Sequence, residues 1–107
     1  MKPIPIAAEG TKTVEVNSGN LASFTGSGAV DVFSTPNLVL LMEEACVEAI
    51  KGYLEDGETT VGTLVNISHL GATPPGLQVT AKGVLTEIDG RRFVFKVEAY
   101  DDVEKVG

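Results

Sequence analysis

The chain has 107 residues, 43% of them hydrophobic and none of them tryptophan, which suits one small domain whose core is mostly Val, Leu, Ile and Ala. Fifteen acidic residues against eight basic ones leave a net charge of −7, and no basic cluster exceeds the pair Arg91-Arg92. That balance argues against a nucleic-acid footprint, and the acidity reads as a solubility feature.

Residues 1–10, MKPIPIAAEG, read as a flexible lead-in. Two prolines and no continuous apolar run make them neither a signal peptide nor a membrane span, so a cytoplasmic protein without membrane contact is expected. TKTVEVN, residues 11–17, alternates polar and apolar and reads as a first strand with Val14 and Val16 on one face. Glycines at 19, 26 and 28 mark turns or a loop, and Val30, Val32 and Phe33 suggest a short extended piece.

Ser34-Thr35-Pro36 reads as a helix start, because a hydroxyl caps free N–H groups and proline is tolerated in the first turn. The helix should run to about Tyr53 or Leu54 and stop at Asp56-Gly57. Wound at about 100° per residue, it puts Glu44, Glu48 and Lys51 on a narrow polar strip. Leu38, Val39, Met42 and Cys46 define a broad apolar arc. Glu43 falls inside that arc, between Ile50 and Leu54. Cys46, the only cysteine, excludes an intramolecular disulfide and reads as a small buried hydrophobe. One Cys and one His make no metal-binding set.

The remainder reads as β. TTVGTLVNISHL, residues 59–70, is expected to be the second strand, and Thr73-Pro74-Pro75-Gly76 a turn. LQVTAKGVLTEI, residues 77–88, is a long strand whose alternation slips near Lys82-Gly83 and so suggests a bulge there. Asp89-Gly90 signals a tight hairpin, after which residues 91–101 return with Phe93, Phe95, Val97 and Ala99 on one face. One apolar helix among antiparallel strands points to an α+β domain, a curved sheet wrapping the helix, with self-association completing the burial.

Three polar residues carry candidate chemistry. Thr35 reads as a cap, His69 as a hydrogen-bonded residue at a strand end, and Glu43 as an edge or interface residue when each is taken alone. Should they converge, a carboxylate and an imidazole can divide the work of acyl transfer, one attacking or activating water and the other moving protons near neutral pH. There is no G-x-S-x-G elbow and no lysine-bearing phosphate loop.

The segments Phe33-Ser34-Thr35-Pro36, Leu41-Met42-Glu43, Tyr53-Leu54, Val61-Gly62 and His69-Leu70-Gly71-Ala72-Thr73-Pro74-Pro75-Gly76 together resemble the hotdog-fold thioesterases of the fluoroacetyl-CoA thioesterase type. Asp89-Gly90-Arg91-Arg92 and residues 95–101 continue the likeness, which spans roughly Ser27 to Gly107. The resemblance implies a single hotdog domain over 1–107, paired into a homodimer or a higher oligomer. It implies Thr35, Glu43 and His69 as reactive residues at a dimer interface, and Gly62 and Phe33 against the substrate. The implied activity is hydrolysis of a small acyl-CoA thioester, with CoA as part of the substrate and no further cofactor. Two other readings are a non-catalytic acyl-CoA or acyl-group binding module, and a hydratase. Family members usually continue past the closing Val-Gly into another strand, so either the sequence is shortened or its sheet lacks an edge. The small residues of GSGAVDVF, residues 26–33, leave the acyl group open.

Overall fold

The computed structural model describes residues 1–107. Its elements are β1 (Glu9–Glu15), a short helix α1 (Ala22–Thr25), the long helix α2 (Thr35–Ile50) with a single 3₁₀ turn at Lys51–Tyr53, β2 (Gln78–Asp89) and β3 (Arg92–Asp101). The strands form an antiparallel sheet in the order β1-β2-β3, and α2 packs chiefly on β1 and β2.

The start of α2 follows from local chemistry. Ser34 is extended, its Oγ accepts from the Asn37 backbone N–H at 3.2 Å, and Pro36 sits in the first turn, where no N–H is needed. Leu38, Leu41, Met42 and Ala45 bury one helix face against Val79, Ala81 and Ala99 of the sheet. Each large side chain so buried contributes roughly 2 kcal/mol.

Two glycines set how closely helix and sheet approach. Gly10 and Gly83 are cross-strand partners. A Cβ on Gly10 would collide with the backbone of Ala49, Ala45 and Glu48, and one on Gly83 would lie 2.8 Å from Cys46 Sγ. This explains the apparent slip of alternation near Lys82-Gly83. Val79, Ala81, Gly83 and Leu85 alternate inward without interruption, and Gly83 is the point of close approach rather than a bulge. The irregularity lies instead between Leu85 and Glu87. The hairpin turn is Gly90-Arg91, with Gly90 at φ +60 and Asp89 paired to Arg92.

Three further expectations need correction. The lead-in is tied down: Lys2 N–H donates to Tyr53 O, Ala7 N–H to Leu85 O, and Leu85 N–H to Ala8 O. Those bonds extend the β1 edge to Glu9, before the alternating run begins. The small-residue stretch after β1 contains α1, which ends in the left-handed Gly26 at φ +78.

Finally, residues 59–70 form no strand. Residues 59–69 make no backbone–backbone hydrogen bond; the first is Leu70 N–H to Val106 O at 2.7 Å. Val61 and Leu64 are 80% and 86% exposed. The run has strand composition, but a strand exists only by pairing, and nothing within the chain pairs with it.

Candidate active site

Thr35 and His69 meet directly. Thr35 is the first residue of α2, and its Oγ1 lies 2.7 Å from His69 Nδ1. The backbone around both is anchored. Phe33 N–H donates to Thr73 O at 2.9 Å, and the N–H groups of Leu70 and Gly71 both point at Val106 O. The two side chains line an open cavity of about 290 Å³ together with Phe33, Leu70 and Gly71. Burial pushes the His69 imidazole below its ordinary 6.5, and the Gly71 backbone offsets part of that shift. The ring is therefore neutral at pH 7. Its second nitrogen, Nε2, is buried and has no partner within the chain.

Glu43 and Gly62 make a second cluster. Glu43 is half-buried at the margin of the helix's apolar face. A Cβ on Gly62 would lie 2.5 Å from Glu43 Oε2 and 3.1 Å from Cδ, so the carboxylate occupies the space a side chain would need. No hydrogen bond or ion pair holds that carboxylate. The Gly62 N–H makes no backbone hydrogen bond either. A carboxylate beside an uncommitted backbone donor is an arrangement that can activate a nucleophile and polarise a carbonyl at one place.

The structure keeps the two clusters apart. Thr35 and Glu43 stand eight residues apart on one helix, about 12 Å of axial rise. Gly62 and His69 belong to the same unpaired segment, each facing its own helical partner. Neither Glu43 nor Gly62 lines the Thr35–His69 cavity. Phe33 does border that cavity, but its side chain is 1% exposed and belongs to the core cluster.

The turn that follows Asp101, and the part Asp101 plays in it, are not expected from the sequence. Asp101 Oδ2 accepts from Thr73 Oγ1 at 2.8 Å, and Oδ1 accepts from the Val103 and Glu104 N–H groups at 2.8 Å each. An Asp followed closely by further polar residues after a strand is the signal that could have marked this turn. Cys46 is half-buried, and burial and then the nearby Glu43 charge push its thiol up to about 11. No group of three or more His, Cys, Asp or Glu side chains is placed to hold a metal ion. No helix is long and apolar enough to cross a membrane.

Comparison with known proteins identifies the family. The family model of the fluoroacetyl-CoA-specific thioesterase FlK matches residues 16–107. The fluoroacetyl-CoA thioesterase of Streptantibioticus cattleyicolor is 47% identical over 77 residues, which make up 72% of this chain and 55% of that relative. The chain thus spans a little over half the length of that curated relative. The crystal structure of a mutant FlK in complex with fluoroacetate and CoA matches with a TM-score of 0.89 at 35% identity, covering 96% of this chain and 87% of that one. A hot-dog-like protein from Thermanaerovibrio acidaminovorans, 22% identical, shares the fold with a TM-score of 0.85 over 96% of this chain and 76% of its own. One long helix against an antiparallel sheet, with these relatives, makes this a hotdog fold, and the chain belongs to the fluoroacetyl-CoA-specific thioesterase family.

Proposed function

We propose that the protein is an acyl-CoA thioesterase whose site is shared between two copies of the chain. The observation that carries this reading is the separation of the clusters: Glu43 with Gly62, and Thr35 with His69, at two ends of one unpaired segment. An antiparallel pairing of two copies of residues 59–70, centred on Val65 or Asn66, sets each Gly62 within one residue of the partner subunit's His69. The same pairing satisfies the idle backbone groups and covers Val61 and Leu64, the most exposed apolar side chains of the segment.

In that arrangement water adds to the thioester carbonyl, the C–S bond breaks, and a carboxylic acid and free CoA thiol leave. Glu43 acts as general base, taking a proton from that water, or as nucleophile. As nucleophile, its carboxylate displaces the thiolate to form a mixed anhydride, which water then hydrolyses to acid and free Glu43. In both routes the Gly62 N–H polarises the carbonyl oxygen. The partner subunit's His69, neutral at pH 7, accepts the proton that the water gives up, passed on from Glu43, and hands it to the departing sulfur, which returns the ring to its neutral form. Thr35 fixes the ring through Nδ1 and so selects the nitrogen that faces the reaction. A small acyl group on CoA is the substrate class, in keeping with the relatives that act on fluoroacetyl-CoA.

Mixed dimers test the shared site. Glu43→Ala and His69→Ala chains, each inactive alone, should regain about a quarter of wild-type thiol release when co-expressed in equal amounts. Half of the dimers are then mixed, and each mixed dimer carries one intact site of two. No recovery, with mixed dimers present, would place all four residues of a working site within one chain.

A further inference from the structure

We propose that Asp101 and Thr73, which lie outside the reacting groups, are positioning residues that set the Thr35–His69 pair from two sides. The inference rests on the catalytic reading of that pair. Thr73 is fully buried and polar, and its hydroxyl and its carbonyl have separate duties. Its hydroxyl donates to Asp101 Oδ2 at 2.8 Å, and its carbonyl accepts from the Phe33 N–H at 2.9 Å. Phe33 is two residues before Thr35, so this bond fixes the chain where it enters α2.

The other oxygen of the same carboxylate sets the opposite side. Asp101 Oδ1 gathers the N–H groups of Val103 and Glu104, and the Asp101 N–H donates to Glu104 O at 2.9 Å. The closed turn delivers Val106, whose carbonyl accepts from Leu70 N–H at 2.7 Å and from Gly71 N–H at 3.4 Å. Those donors are the two residues after His69. One carboxylate therefore references both partners of a 2.7 Å contact to the end of β3. Partial burial pushes Asp101 up, but the Glu104 and Val103 N–H groups and the Thr73 hydroxyl outweigh it and hold the carboxyl below its ordinary 3.8. The group is ionised throughout the working range and accepts on both oxygens. The geometric tolerance of acid–base groups is small, so a drift at either anchor should be felt in rate before it is felt in folding.

The test uses a feature of the composition: His69 is the only histidine, so its ring signals need no assignment. The ring would be titrated by NMR in the wild type, Thr73→Val, Thr73→Ser and, as a reference for a lost contact, Thr35→Val. Thr73→Val removes the hydroxyl at nearly constant volume, and Thr73→Ala replaces it if valine prevents folding. Glu104, whose carboxylate lies against Gly71, is unchanged in every variant. Thr73→Val is expected to move the His69 signals and titration toward those of Thr35→Val. It should also lower kcat for acyl-CoA hydrolysis about tenfold with KM within about twofold, and Thr73→Ser should restore both. A folded Thr73→Val protein with wild-type His69 titration and kcat, reduced only in thermal stability, would overturn the proposal. If the wild type releases no thiol, the catalytic reading fails, while the NMR comparison still decides whether Thr73 positions His69.

Discussion

The carboxylate of Glu43 fills the space that a side chain on residue 62 would occupy, its Oε2 lying 2.5 Å from where a Cβ on Gly62 would be. This contact answers why an acidic residue interrupts the apolar arc of α2. The helix reaches its margin there, and the neighbour is a backbone with no side chain and a free N–H.

Gly62→Ala separates catalysis from folding at this contact. The colliding atoms are the far end of a flexible side chain, and Gly62 is exposed with no left-handed φ. Glu43 can swing aside at small cost. The substitution should change the denaturation midpoint little, by less than about 1 kcal/mol, and lower kcat roughly ten- to hundredfold. Comparable urea curves beside a collapsed kcat would bear this out; an unaffected kcat would mean Glu43 acts from some other position.

Gly10→Ala is expected to do the reverse. Its Cβ would meet the Ala45 carbonyl oxygen at 2.5 Å and the Glu48 carbonyl carbon at 2.8 Å, both backbone atoms of α2 that cannot swing away. Helix and sheet would have to separate, at a cost of about 1–3 kcal/mol. Chemical denaturation measures it directly. A neutral result would show that helix and sheet do not meet at the Gly10–Gly83 pair.

His69 gives the pH dependence its sign. Its folded pKa lies below the ordinary 6.5 because burial disfavours the imidazolium. The unfolded state therefore binds more protons in the window below 6.5. The contribution of His69 to stability is complete above pH 6.5 and is lost as pH falls through that window toward the folded value. Activity that needs a neutral ring should follow the same limb, with an apparent pKa under 6.5 in kcat/KM. A limb at or above 6.5 would mean that the ring is not desolvated in the working protein.

Much of this architecture was legible in the residues, and the misses share one physical cause. The start of α2 was readable because Ser34, Pro36 and Asn37 act within one turn. The β2–β3 hairpin was readable because Asp89-Gly90 dictates a local chain reversal. Thr35, Glu43 and His69 stood out among the residues and Gly62 came only with the family resemblance; the contacts Thr35–His69 and Glu43–Gly62 give each a neighbour. What could not be read depends on groups distant in sequence. Gly83 looked like a break in alternation because the helix that needs its missing side chain is nearly forty residues upstream. Residues 59–70 looked like a strand because composition records β-propensity and carries no record of a pairing partner. The Asp101–Thr73 bond spans 28 residues and joins the last residue of β3 to the start of the Thr73–Gly76 turn, so no local pattern records it.

The most direct test of the central claim is thiol release from a panel of short, branched and aromatic acyl-CoAs, with wild type beside Glu43→Gln. Glutamine keeps the size of the side chain and removes its charge. Release by the wild type that falls at least about a hundredfold in Glu43→Gln, with both proteins folded, is the expected result. Equal release by the two proteins, or none by a folded wild type across the whole panel, would contradict it.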